Sequence, residues 1–410
     1  MNLDYSAAHM AFQREVREFL AANWPPRGEE AALPAGEQRR RFRTRAIEAG
    51  YLYRNIPRRY GGSEQVPDPI RGHIIRQEFN AARAPREIEG NGVTRIVPTL
   101  LEHGNPWQRE RFIGPAIRGE HIWCQGYSEP NAGSDLASLR TRAELVGDQW
   151  VINGQKIWTS RAHIAHYMFA LVRTEKDVSK HAGISYLLID MKQPGIEVRP
   201  LRQMTGGASF NEVYLTDART PADWIVGERG QGWKVSRTTL RFERNQIGGP
   251  EQGVKLFDKI VKLARRTQRN GRPAIQDPEV RQWLVALEGF VRAHYWAGFH
   301  QFSRDAKGQS AGILELMNKF VQMHVIGLEA ARIVQELIGE DALLLAQGAA
   351  HSGDEDFDPD QAQGAARAGN ERWVNYLLGS LAQTIGGGTS NIQRNIIAER
   401  GLGMPRDDVR

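Results

Sequence analysis

Cysteine is almost absent from this chain. Cys124 is the single thiol in 410 residues, so no disulfide can form within the chain and no cluster of thiolates can hold a metal. His163 and His166 lie near each other, but no acid or thiol pattern completes a zinc site around them, and no metal is expected. Long apolar runs are absent too: none approaches the ~20 residues that a membrane-spanning helix needs. The amino terminus, Met1-Asn2-Leu3-Asp4-Tyr5, has neither the basic and apolar regions of a secretory leader nor the Arg/Ser-rich pattern of a transit peptide. Together these absences fit a reducing compartment, and we expect a cytoplasmic protein without membrane attachment. There is no internal repeat with a period of 20–50 residues and no nucleophile elbow.

Charge of one sign is not concentrated either. The net charge is +6, but the 54 Lys and Arg are dispersed among 48 Asp and Glu. The basic clusters Arg39-Arg40-Arg41-Phe42-Arg43 and Arg265-Arg266 fall in helical sequence with acids nearby. Nucleic-acid binding needs a basic face with a reading element, and none is seen. An anionic ligand accounts for part of the excess more simply.

What remains is the composition of a globular protein, 40% hydrophobic and 25% charged, long enough for two or three domains. The first 120 residues read as helical. Phe12, Val16, Phe19 and Leu20 recur at the helical period until Trp24-Pro25-Pro26 stops them. A second helix is expected over Gln38–Gly50. Asp68 with Pro69 predicts the N-cap of a third, running to about Ala82. Others are expected at Gly92–His103 and Pro106–Arg118. From 121 to 231 the pattern changes to strands. Arg140–Val146 and Gln149–Ile157 flank a Gly147-Asp148 turn, and Tyr167–Arg173, Gly183–Ile189, Ile196–Leu201 and Glu212–Leu215 follow, which predicts a small β-sandwich or barrel. The loop Gly227–Gly232 lacks the strand–GxGxxG–helix context of a dinucleotide fingerprint. From 232 to 410 helices return, interrupted by an acidic, turn-rich segment, His351–Gln363, and by the glycine loop at Gly386–Gly388. The fold class is α+β multidomain, with domains at 1–120, 121–231 and 232–410.

Two segments carry the chemistry. Tyr127-Ser128-Glu129-Pro130-Asn131-Ala132-Gly133-Ser134-Asp135 offers backbone amides and short hydroxyls from a charged loop. Ile152-Asn153-Gly154-Gln155-Lys156-Ile157-Trp158-Thr159-Ser160 ends in an aromatic plate beside hydroxyls. As a pair they read as the walls of a site for a flat aromatic ligand. Taken singly, Trp158 would more often be core, and Ser128 and Ser134 would be turn hydroxyls bonding their own backbone.

In order and spacing, Trp123–Asp135, Asn153–Ser160, Phe210-Asn211-Glu212-Val213, Gly227–Trp233, Gly388–Arg394 and Arg400–Pro405 resemble the acyl-CoA dehydrogenase family over nearly the whole chain, Phe12 to Pro405. The resemblance implies an N-terminal helical domain, a middle β domain and a C-terminal four-helix-bundle domain. It implies FAD, and an acyl-CoA thioester that loses an α-proton to a glutamate and a β-hydride to flavin N5, giving a trans-2-enoyl-CoA. It also implies an electron-transfer flavoprotein as acceptor, and a homotetramer, a homodimer or a heteromer with a related subunit. Ser128, flanked by Gln125 and Tyr127, matches a flavin-contacting hydroxyl. Trp158 matches the indole against the isoalloxazine, and Ser160 the hydroxyl near N5. Gln335, Gly339, Thr389 and Asn391 match the pyrophosphate and adenosine side of FAD. Ser134 matches a contact to the coenzyme A arm, and Arg244 the substrate-side arginine.

Departures from the family pattern matter as much. Asn131 stands at a usual glycine, a change that asparagine tolerates if the position is left-handed. Many members carry the catalytic glutamate immediately before the Gly-Thr of the final loop, where this chain has Gly387. Others carry it on the first helix after the β domain, directly before the substrate-side arginine, and that position is Glu243. Glu243 is therefore the expected base, set against the plain alternative of a surface glutamate paired with Arg241 or Arg244. The base change and the glycines at 386–388 together suggest an acyl group that is bulky near the α-carbon. Competing functions are oxidase or monooxygenase chemistry, an inactive subunit of a heteromeric dehydrogenase, and a nucleic-acid-binding flavoprotein.

Overall fold

The computed structural model describes residues 5–205, 207–247, 249–305, 307–309, 312–343 and 366–405. The side chains of 244–247, 250, 366–369 and 371 are outside the description, as is the acidic segment His351–Gln363. The chain divides into two compact units, Met1–Ile122 with Phe302–Ser310, and Trp123–Gln301 with Ala311–Arg410.

The first unit is helical: α1 (Ala7–Asn23), α2 (Ala35–Glu48), α3 (Pro69–Ala81), α4 (Val97–His103) and α5 (Pro106–Ile117). Ser6 caps α1 and Asp68 caps α3, the latter accepting from Arg71 N at 3.0 Å. The periodic residues Phe12, Val16 and Leu20 are buried with Phe42, Ile74 and Phe79. The single helix expected over 92–103 is instead a π turn, Gly92–Ile96, followed by α4. Pro98 explains the break, since it has no amide to pair with Thr94 in α-helical register.

The second unit begins with a curled sheet of β1 (Trp123–Gly126), β2 (Arg142–Val146), β3 (Gln149–Lys156), β4 (Tyr167–Arg173), β5 (Ile184–Asp190), β6 (Ile196–Leu201) and β7 (Phe210–Pro221). Its order is β1-β4-β2-β3-β7-β6, with β5 on β4. The expected hairpin is β2–β3, paired from Arg142–Asn153 to Val146–Gln149. β7 extends well beyond the expected Glu212–Leu215 because it is shared, pairing with β3 on one side and β6 on the other. The apolar runs of β4 and β5 are buried from end to end, as strands covered on both faces are. A register shift between Ile152 and Gly154 bends the end of β3. Only glycine fits there: φ is +155°, and a Cβ would lie 2.5 Å from Thr141 Oγ1.

The remainder is helical: α6 (Gly232–Ile247), α7 (Pro250–Arg266), α8 (Pro278–Asp305), α9 (Ile313–Lys319), α10 (Gly327–Ile338), α11 (Ala366–Gln383) and α12 (Ser390–Ile396). A π turn, Phe320–Ile326, joins α9 to α10, and another, Ile397–Gly401, extends α12. Ile260 and Leu263 of α7, Leu284, Leu287 and Val291 of α8, Ile333 and Val334 of α10 and Trp373 of α11 form one core, the four-helix bundle. A small hairpin, β8 (Gln268–Arg269) with β9 (Arg272–Pro273), turns at Asn270-Gly271, both at positive φ. Among the described residues, no helix is long and apolar enough to cross a membrane.

Candidate active site

The loop after β1 is fixed by one buried ion pair. Lys156, on β3 and wholly buried, donates to Glu129 Oε1 at 2.9 Å and to Tyr127 O at 3.2 Å. The Glu129 carboxylate also accepts from the amides of Arg140 (2.6 Å) and Thr141 (2.8 Å). Burial alone would raise its pKa, but Lys156 and these donors hold it below the ordinary carboxylate range, while burial pulls Lys156 down. The pair is thus a charged clamp with its lone pairs satisfied, the condition under which a buried ion pair is tolerable. Glu129 and Ala132 exchange backbone hydrogen bonds at 3.0 Å, closing the turn through Pro130 and Asn131. Asn131 is not among the residues with positive φ, so its tolerance needs no left-handed backbone, contrary to the expectation. Ser128 O accepts from Ile157 N at 2.9 Å, joining this loop to the second motif.

That motif ends on an unusual residue. Trp158 is 58% exposed and has φ +59°, a left-handed conformation that is strained for a bulky side chain. Its ring meets Phe210 edge-on at 6.1 Å. Asn211, fully buried on β7, locks the turn: it exchanges backbone bonds with Thr159, and its Nδ2 donates to Thr159 O at 2.9 Å. Ser128 and Ser160 are half-buried beside this plate. Gln125 Oε1 and Thr159 Oγ1 are buried and have no hydrogen-bond partner among the described residues.

The α6 helix presents Val235, Ser236, Thr239 and Glu243 on one buried face, as the helical period dictates. Gly232 starts it against β5, so close that a Cβ would lie 2.4 Å from Ser185 C, and Ser185 Oγ accepts from Gly230 N at 2.9 Å. Thr239 Oγ1 lies 3.3 Å from the Tyr186 hydroxyl, and Tyr127 meets Tyr186 edge-on at 6.3 Å. Burial, the Tyr186 hydroxyl and, less strongly, the Glu243 charge push the Tyr127 phenol far above its ordinary value. Glu243 is 8% exposed, not the surface glutamate of the alternative reading. Arg241 is exposed with its guanidinium 5.1 Å from the Phe242 ring, and the Arg244 side chain is outside the description.

Gly387 brings distant segments together. It has φ +64°, and a Cβ there would lie 2.7 Å from Lys319 Nζ and 3.2 Å from Glu243 Oε1. A carboxylate from α6 and an ammonium from α9 therefore fill the space where a side chain at 387 would begin. Lys319 Nζ donates to Gly386 O and, at 3.2 Å, to Gly388 O, while Gln393 Nε2 donates to Gly387 O at 3.1 Å. Next to it, His324 Nδ1 is 2.8 Å from Ser390 Oγ. Burial, with Lys319 and Arg394, depresses the His324 pKa and favours the neutral ring.

The other expected residues lie apart. Thr389 uses its hydroxyl within the chain as the N-cap of α12, accepting from Ile392 N at 3.4 Å, and Asn391 Oδ1 accepts from Arg394 at 3.3 Å. Gln335 and Gly339 are exposed at the end of α10. Among the described residues, no hydrogen bond or ring contact joins them to the Trp158 wall. Ser134 is exposed, on a loop tied through Asp135 to Lys180 at 2.6 Å. The neighbour of Lys180, His181, packs on Trp233 at 4.7 Å, and both line a cavity of about 610 Å3 with Arg237 and Arg400. Sequence reasoning had no role for Lys156 and Asn211, although both stood inside the quoted motifs. It passed over Lys319, which has no motif around it.

All three parts of the chain match models of one family: the acyl-CoA dehydrogenase N-terminal domain at residues 6–120, the middle domain at 124–218 and the C-terminal domain at 230–402. The chain is similar to acyl-CoA dehydrogenase IpdE1 of Mycobacterium tuberculosis, 38% identical over 409 residues that cover 97% of this chain and 98% of that one. The fold is similar to that of the ChsE4-ChsE5 complex from Mycobacterium tuberculosis (28% identical, TM-score 0.73, covering 99% of this chain and 100% of the other). It is also similar to the Tcur3481-Tcur3483 steroid ACAD (26% identical, TM-score 0.74, the same coverage). This chain belongs to the acyl-CoA dehydrogenase family, oxidoreductases that act on acyl-CoA.

Proposed function

We propose that the chain carries out the flavin-dependent α,β-dehydrogenation of an acyl-CoA thioester to the trans-2-enoyl-CoA, with Glu243 as the base. One observation carries this reading: the Glu243 carboxylate lies 3.2 Å from the point where a Gly387 Cβ would stand. In relatives with the glutamate at that loop position, the base starts from this point. Here α6 delivers a carboxylate to the same place from another direction.

The Trp158 wall fits FAD. An exposed indole offers a stacking face, and Gln125 Oε1 and Thr159 Oγ1 are buried with hydrogen-bonding capacity to spare. FAD supplies the acceptor, at N5, for the hydride from the substrate β-carbon. Ser128 and Ser160 would bond the ring edge, with Gln125 and Tyr127 flanking. Gln335, Gly339, Thr389 and Asn391 would hold the pyrophosphate and adenosine end, away from the ring. Glu243 takes the α-proton on the face of the substrate opposite Trp158. Its burial suits a base, because it keeps bulk water away from the carboxylate that must meet the substrate α-proton. Arg244 is the substrate-side cation. Ser134 and the pocket of His181, Trp233, Arg237 and Arg400 would take the coenzyme A arm, two guanidiniums meeting its phosphates.

We also propose an acyl group with a ring system close to the thioester. Glycines at 386–388 put no side chain beside the α-carbon, and one similar structure is named a steroid ACAD. Both similar structures pair two different chains, which favours a heteromer with a related subunit over a homotetramer. An electron-transfer flavoprotein would be the acceptor. The test is anaerobic bleaching of the FAD-loaded protein against ring-bearing and straight-chain acyl-CoAs, for wild type and Glu243→Gln. Ring-bearing substrates should bleach the flavin, and the variant should be slower by about a thousandfold with its flavin retained. Wild-type rates in Glu243→Gln sink the base assignment; turnover of short straight chains alone sinks the substrate class.

A further inference from the structure

The cavity of His181, Trp233, Arg237 and Arg400 is assembled from three elements of the second unit. His181 comes from the connection between β4 and β5, Trp233 and Arg237 from the start of α6, and Arg400 from the π turn after α12. Trp233 and Arg237 stand one helical turn apart and so share a face of α6. That turn is fixed to the sheet, because Gly232 packs on Ser185 too closely for any side chain.

Neither guanidinium is used inside the chain. Among the described residues, no hydrogen bond, ion pair or ring contact engages Arg237 or Arg400. Arg199, Arg229 and Arg332, by contrast, are each paired with a glutamate. Two like charges facing one cavity without a counter-charge repel, and an anion between them relieves both. The same cavity offers an aromatic wall, since Trp233 is half-buried and His181 packs on it at 4.7 Å. At about 610 Å3 it is far larger than one phosphate needs and falls in the range of sites for small organic ligands. Its distance from the reaction is set by α6 itself: Trp233 and Glu243 are ten residues apart on that helix, about 15 Å along the axis. The cavity therefore serves a remote part of the substrate and not the acyl carbons. In a coenzyme A thioester, only the nucleotide end combines a flat ring with a phosphomonoester.

We propose that this cavity is a clamp for the adenosine 3′-phosphate of the thioester. Trp233, backed by His181, stacks on the purine. Arg237 and Arg400 bind the terminal phosphomonoester, which carries nearly two negative charges at neutral pH and matches two guanidiniums. The consequence is selection by the handle, because the same acyl group on pantetheine or on a carrier protein lacks both contacts. Binding energy gained at this end can serve the chemistry only if one rigid element holds both ends in register, and α6 is that element. The proposal rests on the reading of an acyl-CoA thioester as the substrate.

The experiment uses the full-length FAD-loaded protein, with its partner subunit where one is needed. Calorimetric titration compares adenosine 3′,5′-bisphosphate, adenosine 5′-monophosphate and inorganic phosphate. Wild type should bind the bisphosphate about tenfold or more tightly than the monophosphate, and inorganic phosphate more weakly still. Arg237→Gln and Arg400→Gln should each shrink that preference, and the double variant should abolish it. Trp233→Leu should weaken both nucleotides about fivefold and keep the preference. Anaerobic bleaching by one acyl group, carried on coenzyme A and on dephospho-coenzyme A, should show the same preference in rate at low thioester concentration. Equal affinity of wild type for the two nucleotides overturns the proposal, and that comparison needs no variant to fold. So does a preference that survives both arginine changes, or inorganic phosphate binding as tightly as the bisphosphate. If wild type bleaches with neither thioester, the substrate reading falls while the titration still decides the clamp. If both thioesters bleach alike and both nucleotides bind alike, only the clamp falls.

Discussion

At Trp158 a large side chain stands exposed on a left-handed backbone, held there by Asn211 from a neighbouring strand. At Gly387 a left-handed residue has no side chain, and the space is filled by Glu243 and Lys319 from two helices far away in sequence. Both positions have nearly the same φ, +59° and +64°. The first uses that strain to present a surface; the second uses it to leave room. A site of the first kind displays residues next to one another in sequence, with one side chain from a paired strand holding the turn. A site of the second kind is made by an absence that becomes meaningful only once other elements are packed around it.

The largest break in this comparison should come from the clamp under the first wall. Lys156→Met leaves Glu129 buried with only its backbone donors, and removing one partner of a buried pair costs about 3–5 kcal/mol. Urea unfolding at neutral pH should show that loss. The sign with pH follows from the depressed Glu129 pKa. Its stabilising contribution is present above the unfolded carboxylate value of 4.5 and disappears as pH falls through the lower folded value. The gap between variant and wild type should therefore narrow under acid. A constant gap would mean that the clamp is not electrostatic.

A smaller effect is expected from filling the second site. Gly387→Ala puts a methyl 2.7 Å from Lys319 Nζ and 3.2 Å from Glu243 Oε1, and holds alanine in a left-handed backbone that disfavours it by about 1–2 kcal/mol. The ammonium end of lysine can move; the backbone cannot do so as easily. We expect a stability loss of about that size. Bleaching should fall further for ring-bearing acyl-CoAs than for straight-chain ones. An equal loss for both substrates would show that the glycine serves the loop and not the pocket.

Legibility followed the same division. The three-part architecture could be read from period changes, and the first wall from two contiguous motifs, because strands and turns write their signals locally. The β8–β9 hairpin was equally local, with Asn270-Gly271 as its turn, and was passed over. Its strands are two residues each, too short to show alternation. The π turn at Gly92–Ile96 depended on one proline in an otherwise regular helical pattern. Lys319 had no readable signal: a lysine in a helix is ordinarily a solvated group. Only the packing of α9 beside α6 and the glycine loop buries it against the carbonyls of Gly386 and Gly388. Glu243 lay between these extremes, readable through a family pattern but not from its neighbours, which present it as one more charged residue on a helix.

The smallest stability effect tests the wall itself. Trp158→Gly relieves a left-handed strain of about 1–2 kcal/mol but loosens the unfolded chain by about 1 kcal/mol, and the side chain removed is more than half exposed. These terms nearly cancel, so urea unfolding of the flavin-free chain should change by less than about 1 kcal/mol. A tryptophan that served the core would cost about 3–5 kcal/mol on truncation. The two sizes are far enough apart to decide between a packing residue and a displayed one. FAD affinity, followed by fluorescence titration, should fall about fivefold or more with the loss of one aromatic stacking contact. A variant that unfolds easily yet binds FAD as tightly as wild type would place Trp158 in the core, and the contrast with Gly387 would then rest on backbone angles alone.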